Sequence, residues 1–355
     1  MKNIEKYTGA LPEYGLDGML LTSRVNRMYA AEYDIAEGIA IVSAAGCRYF
    51  TDSRYIEAAQ DGIQGFEVSM VDAGRDYVKC INQAIADFSI KTLGIEEDYL
   101  TLAEFRKYEE SLQAALQPAQ QLASGFRAVK EPWEIEKMIR AQQIADKTLA
   151  EIFPIIREGM TEKELMAEII YGFYRNGADN LSFDPIVVSG PNTSKPHGVP
   201  SDRKLQKGDF ITMDVGVLLD GYCSDMTRTV ALGYATEEMK KVYNIVLEAQ
   251  LTAISITKAG VPGCDIDGAA RKVITDAGYG EYFGHGYGHS LGLEIHEAPY
   301  ASRANQDPMP AGAVVSAEPG IYLPGRFGVR IEDVVVITED GCQDITTTPK
   351  ELIIL

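Results

Sequence analysis

Basic residues are scarce in this chain. Its 355 residues carry 33 lysines and arginines against 52 aspartates and glutamates, for a net charge of −19 and a pI near 4.7. Binding to nucleic acid needs clustered cations against phosphate, so that class of partner is set aside. Cysteine is sparse as well. Cys47, Cys80, Cys223, Cys264 and Cys342 are odd in number, scattered and never spaced as C-x-x-C, which argues against a disulfide framework and for a reducing compartment. No apolar run is long enough to span a bilayer, and the N-terminal stretch MKNIEKYTGALPEYG lacks the apolar core of a signal peptide. The expectation is a cytoplasmic protein with no membrane partner. Histidine is the rarest informative residue. There are four, and three of them (His285, His289 and His296) fall in the single stretch GHGYGHSLGLEIHE, Gly284 to Glu297.

What is present is an ordinary globular composition, 46% hydrophobic and 24% charged. The length exceeds what one hydrophobic core usually fills, so two domains are expected. Residues 1–125 alternate strand-like and helix-like patterns and read as a small α/β domain. Gly18 to Leu21 has the look of a buried strand, and Ile39 to Val42 with Arg48 to Phe50 forms a hairpin. Phe66 to Met70 is a further strand. Ser53 to Gln60 and Asp76 to Phe88 carry helical spacing, and Thr101 with Glu104 makes a capping box. No catalytic constellation stands out in this part. Gln113 to Gln121 reads as a linker, followed by a return strand near Phe126 to Val129. Residues 126–355 form the second domain. Pro132 opens a long amphipathic helix with Trp133 packing at its start, and Thr161 with Glu164 caps the next helix, which stops at Asn176-Gly177. The plan then repeats, with helices over Thr236 to Lys258 and Asp265 to Ala277. Gly159 and Gly260, Leu165 and Ile266, and Gly177 and Gly278 are pairs 101 residues apart. An internal duplication, two helix-helix-strand halves facing each other across a site, is the favoured reading.

The glycines at 284, 286, 288 and 292 are too dense for a stable helix and suit a strand or extended turn. On a strand, His285 and His289 point to the same side. A zinc-protease helix is excluded, because His296-Glu297 is followed by Ala298-Pro299 with no second histidine at the required spacing. Upstream, FITMDVG and YCSDMTRTV flank Leu219-Asp220-Gly221, a hairpin signal. With Leu219-Asp220 as the turn, Asp214 and Asp225 are directly opposite; with Asp220-Gly221 they are diagonal neighbours. Both registers put them on one face. Two carboxylates side by side repel unless a cation lies between them. Glu318 and Glu332 sit in two further apolar strands, and Arg330, in phase with Glu332, is expected to support it. Oxygen-rich donors with few imidazoles suit manganese, cobalt or iron at least as well as zinc, and four carboxylates can neutralise the two divalent ions used in two-metal hydrolysis.

Five motifs in order, SGPNTSKPHG, MDVG with CSDMTRT, GHGYGHSLGLEIHE, EPGIY and RIED, resemble those of the metal-dependent Xaa-Pro peptidases of the pita-bread family, the aminopeptidase P and Xaa-Pro dipeptidase group. The likeness covers residues 126–355 well; residues 1–125 agree loosely, mainly through Thr51 to Tyr55. It implies an α/β N-terminal domain that restricts substrate access, then an α+β pita-bread catalytic domain with an internal pseudo-two-fold duplication. It also implies that Asp214 and Asp225 bind one ion, that Glu332 bridges, and that His289 and Glu318 complete the shell of the other. His197 and His296 flank the substrate, His285 lines a proline pocket, and Glu318 serves as the proton acceptor. Tyr322, in EPGIY, joins Arg330 as a supporting residue. The ions expected are manganese first, with cobalt, zinc or iron as alternatives. The substrates expected are short peptides with proline in second position, and the assembly expected is a homodimer. Two other readings stay open: a metal-free creatinase-like hydrolase of C–N bonds in a small guanidino compound, and a non-catalytic scaffold of the same fold. Nothing in the sequence separates dipeptides from longer peptides. His197 is reached through the resemblance alone, since a lone histidine beside Pro196 in a loop is ordinarily just exposed.

Overall fold

A computed structural model describes residues 2–74 and 76–355 of the chain. The chain divides into two compact units, Met1–Arg127 and Ala128–Leu355.

The first unit is built on a six-stranded mixed sheet in the order Glu67–Met70, Gly46–Thr51, Ile39–Ser43, Gly18–Leu21, Thr92–Ile95, Ala115–Pro118. The expected hairpin is there, Ile39–Ser43 against Gly46–Thr51. The capping box is there too: Thr101 Oγ1 accepts from the Glu104 amide, and the Thr101 amide donates to Glu104. One expectation fails. The segment read as a linker and return strand is a short strand, Ala115–Pro118, and then a helix, Gln120–Ala128. That helix buries Leu122, Ala123 and Arg127 on one face, and its packed stripe outweighs the β-preference of the residues near Val129.

The second unit carries the duplication in its backbone. Helices Glu162–Arg175 and Gly263–Asp276 are offset by 101 residues at both ends (162 to 263, 175 to 276). Each follows a longer helix, Pro132–Ile152 and Glu237–Ile256. The entry to each short helix is held alike. The Gly159 amide donates to the Leu205 carbonyl and the Gly260 amide to the Met309 carbonyl, with both glycines at φ near +85°. In the first half, the strands Ile186–Ser189, Phe210–Val215 and Met226–Ala231 form an antiparallel sheet. In the second, Gly288–Ser290, Val314–Ala317 and Asp333–Ile337 form the centre of a five-stranded antiparallel sheet. Each half has its own apolar core between helices and sheet. Leu149, Leu165, Phe173 and Met213 belong to one; Val246, Ile266, Ala270 and Val315 belong to the other. The halves meet strand to strand: Thr229 Oγ1 donates to the Arg330 carbonyl at 2.9 Å, and the Glu332 amide donates to the Thr227 carbonyl at 3.1 Å. Acids at the strand ends of one half are thereby brought beside those of the other.

Candidate functional site

The first two acids are placed by hairpin register. Phe210–Val215 pairs with Met226–Ala231 so that Val215 faces Met226 and Asp214 faces Thr227, while Leu219 faces Tyr222 further along. The turn is therefore Asp220-Gly221, with φ of 49° and 81°. These are the left-handed values of a type I′ turn, which Asp-Gly accommodates. Of the two registers open in the sequence, this is the diagonal one. Asp225 lies one residue before its strand, on the same face as Asp214.

The other groups come from the second half. Glu318 follows the strand Val314–Ala317, its amide donating to the Tyr287 carbonyl at 2.9 Å. Glu332 lies between the strands Phe327–Arg330 and Asp333–Ile337. His289 is the middle residue of Gly288–Ser290, and here glycine is required: a Cβ at Gly288 would lie 1.9 Å from the Ser316 carbonyl oxygen. Asp225, His289 and Glu332 each offer a donor atom within 4.8 Å of the others. His289 Nε2 is 3.3 Å from Glu318 Oε1 and 3.7 Å from Asp225 Oδ2. Its Nδ1 is 3.2 Å from the Ser290 carbonyl. A carbonyl can only accept, so the ring proton sits on Nδ1 and the Nε2 lone pair faces the acids, the orientation a metal-ligating imidazole needs.

The electrostatics of this cluster are unbalanced. Burial, and then the charges of Asp214 and Glu318, push the Asp225 carboxyl well above the usual range. Burial, and then Asp225, Glu318 and Asp214, do the same to Glu332. Burial pushes Glu318 up to about 8, although Arg330 works against it. Burial holds His289 down to about 4, so it is neutral and adds no positive charge. Among the described residues lining the cleft, Arg330 is the one lysine or arginine, and it is committed to Asp214 at 2.6 Å. The other oxygen of that carboxylate, Asp214 Oδ1, is buried without a hydrogen-bond partner among the described residues. Four carboxyls, one orphaned oxygen and an imidazole lone pair against a single guanidinium leave a deficit of positive charge. Divalent cations with a preference for oxygen would fill it.

Arg330 supports Glu332 at one remove. Its direct carboxylate partner is Asp214, and it reaches Glu332 through a relay: Arg330 Nε donates to Thr227 Oγ1 at 3.0 Å, and that hydroxyl donates to Glu332 at 2.7 Å. Thr227 was not singled out from the sequence, although it lies two residues from Asp225. Ser316 Oγ, 3.1 Å from Glu318 and accepting from the His289 amide, was also passed over; its alternation with Glu318 in the strand was the available signal. Tyr322 connects Arg330 to His285. Arg330 Nη1 donates to the Tyr322 hydroxyl, which donates in turn to His285 Nε2 at 2.9 Å, and His285 Nδ1 donates to the Gly286 carbonyl at 2.8 Å. Both ring nitrogens of His285 are thus engaged. Burial, reinforced by Arg330, keeps this ring neutral, with its pKa down to about 4.

A cleft of about 620 Å³ opens over these groups. All four histidines line it, with Phe183, Ile186, Val199, Ile295 and Tyr300 supplying apolar surface. The His296 ring stacks edge-on against His289, 4.3 Å between centroids, and burial lowers its pKa. His197 is exposed at the lip. The structure therefore brings every acid and histidine expected from the sequence to one cavity.

Residues 136–339 match the model of metallopeptidase family M24. The chain belongs to that family. In this M24 chain, residues 4–129 match the creatinase/prolidase N-terminal domain. An Xaa-Pro dipeptidase of Pyrococcus horikoshii is 33% identical over 355 residues, 99% of each chain. Among solved structures, an Xaa-Pro dipeptidase from Bacillus anthracis superposes with a TM-score of 0.96 at 41% identity, covering 100% of this chain and 99% of the other. An X-Pro aminopeptidase from Thermotoga maritima superposes with a TM-score of 0.91 at 38% identity, covering 96% and 98%. These superpositions extend over both units, and the duplicated second unit of this M24 chain has the pita-bread fold.

Proposed function

We propose that the protein is a dinuclear-metal exopeptidase that hydrolyses the bond between an N-terminal residue and a following proline. The observation that carries this reading is the buried, orphaned Asp214 oxygen among four mutually repelling acids in the floor of the cleft. The names of the similar proteins support the substrate class. Asp214 and Asp225 would hold one ion and His289 and Glu318 the other, with Glu332 shared between them. When bound, such ions activate a water and polarise the scissile carbonyl. The remaining work falls to the chain. Glu318 takes the attacking water's proton and passes it towards the proline nitrogen. His296, uncharged near pH 7, donates an N–H to the developing oxyanion. His285, with both nitrogens engaged, can offer only its ring surface, which suits the apolar ring of a proline that has no N–H to satisfy. His197 at the lip borders the peptide on the open side.

Manganese is the first choice of metal on donor chemistry, with cobalt, zinc or iron behind it. The reading extends to a homodimer in the cytoplasm, with residues 1–125 restricting which peptides enter. The composition supports that compartment. Among the described residues, no helix is long and apolar enough to cross a membrane. Turnover of an Xaa-Pro dipeptide and of a longer Xaa-Pro peptide, each with manganese and with a chelator, tests the reading. Cleavage lost with chelator and restored by manganese is expected. Cleavage that survives chelation would point to the metal-free C–N hydrolase reading, and no cleavage under any condition would point to a scaffold.

A further inference from the structure

Behind the cluster of acids lies a buried amide that none of the roles above uses. Gln250 projects from the helix Glu237–Ile256 and is wholly buried. Its Nε2 is 2.9 Å from the Ala317 carbonyl, 3.3 Å from the Ile331 carbonyl and 3.2 Å from Asp333 Oδ2. All three are acceptors, so the amide nitrogen must face them. Its Oε1 has no hydrogen-bond partner among the described residues. Ala317 immediately precedes Glu318, and Ile331 immediately precedes Glu332. One side-chain nitrogen therefore ties together the two backbone segments that present the two glutamates of the site.

Neighbouring groups continue the lacing. The backbone carbonyl of Gln250 accepts from the Tyr287 hydroxyl at 3.3 Å, and the Tyr287 carbonyl in turn holds the Glu318 amide. Asp333 also accepts from Arg228 at 2.6 Å and from Lys350, and Arg228 donates to the Glu332 carbonyl at 2.6 Å. Strand pairing joins the two segments on either side of the glutamates, Ala317 with Asp333 and Gly320 with Arg330. Glu318 and Glu332 lie in the stretches between those pairs, and Gln250 bonds the carbonyl that leads into each.

We infer that Gln250 is a positioning residue that fixes the spacing of Glu318 and Glu332, and through it the geometry of the paired-ion site. This rests on the two-metal reading above. Carboxylates meant to share two ions must stand at one separation before the ions arrive, because a loose pair spends binding energy on ordering itself. Methionine in place of the amide keeps the volume and removes the donor.

The test compares full-length wild type with Gln250→Met and with Gln142→Met. Gln142 is the fully buried glutamine of the other long helix, remote in role, whose amide has no partner among the described residues. Mn²⁺ stoichiometry and affinity, the spin-coupling signature of the manganese pair by electron paramagnetic resonance, and kcat and KM at saturating Mn²⁺ are measured alongside the melting temperature. Gln250→Met is expected to weaken uptake of one of the two ions at least tenfold, alter the coupled signal, and lower kcat at least tenfold with KM within threefold. Gln142→Met is expected to leave all of these within twofold of wild type. Should Gln250→Met fail to fold, Gln250→Glu, which keeps one donor when protonated, is expected to show a smaller loss of the same kind. A folded Gln250 variant with wild-type metal affinity, signal and kcat overturns the inference, as does an equal loss in Gln142→Met. Wild-type protein that takes up no Mn²⁺ refutes the two-metal reading itself and the inference with it, whereas normal wild-type uptake with unaffected variants refutes the inference alone.

Discussion

Metal affinity should depend steeply on pH, and the dependence should come from carboxyls rather than from histidine. A metal ligand must be deprotonated, so any proton held by the empty cluster has to leave on binding. His289, held down to about 4, has none to lose on its ligating nitrogen above pH 6. Glu318, pushed up to about 8, is mostly protonated at pH 7. Removing that proton at pH 7 costs about 1.4 kcal/mol, a factor of about ten in apparent affinity. Between pH 6 and pH 8 the protonated fraction falls from near one to about half, so Glu318 alone should tighten binding by about fiftyfold. Asp225, raised by burial and then by Asp214 and Glu318, and Glu332, raised by burial and then by Asp225, add to that. Had a histidine of ordinary pKa near 6.5 been the titrating group, the gain over the same range would be only about fourfold. The assay is anaerobic titration of chelator-treated protein with Mn²⁺ at pH 6, 7 and 8, free ion read by electron paramagnetic resonance, with proton release checked calorimetrically in buffers of different ionisation enthalpy. Glu318→Gln should flatten the dependence. A tightening of fourfold or less across the range in wild type would refute the reasoning.

Asp225→Ala and His289→Ala should each abolish Mn²⁺ uptake and Xaa-Pro cleavage, by metal analysis and peptide assay; full cleavage by either variant is incompatible with the proposed site. Gly288→Ala should force the His289 strand away from the Ser316 carbonyl and destabilise the protein by about 1–3 kcal/mol, the usual range for overpacking, read as a lower urea midpoint. The chelated protein should also lose stability as pH rises from about 5 to 8. Glu318 holds its proton in the folded state but not when unfolded, so the folded chain binds more protons, and its contribution is present at low pH and lost as pH climbs through about 8. Thermal melts should therefore show Mn²⁺ stabilising the protein more at pH 8 than at pH 6, and an equal gain at both would contradict the assignment.

Much of the fold could be read locally. The Thr101 and Thr161 caps and the Pro132 start are each decided by two to four adjacent residues, whose chemistry dominates over anything distant. The helix Gln120–Ala128 was misread because its stripe includes polar members: Gln120 and Arg127 are both buried, which breaks the apolar period that identifies such a face. The support that Arg330 gives Glu332 is indirect for a different reason. Side chains two apart share a face only along an unbroken strand. The strand ends at Arg330 and the next begins at Asp333, and the guanidinium meets Asp214 directly and Glu332 through Thr227.

The acids of the site were legible and their supports were not, and the two outcomes have one cause. A carboxylate in an apolar strand carries a large desolvation penalty that needs a compensating partner, so its residue type alone marks Asp214, Asp225, Glu318 and Glu332 as unusual. A support such as Gln250 carries no such mark. Its partners are mainly backbone carbonyls 67 and 81 residues away, and every residue has a carbonyl, so no pattern of side-chain types announces the contact. Thr227 lies between these cases: a threonine in a strand is unremarkable until the register places its hydroxyl between Arg330 and Glu332. Groups that hold charge can thus be found from composition and spacing, whereas groups that hold backbone emerge only when segments distant in the sequence are assembled. Substitutions at the second kind of position should accordingly alter metal geometry while leaving every recognisable motif of the sequence in place.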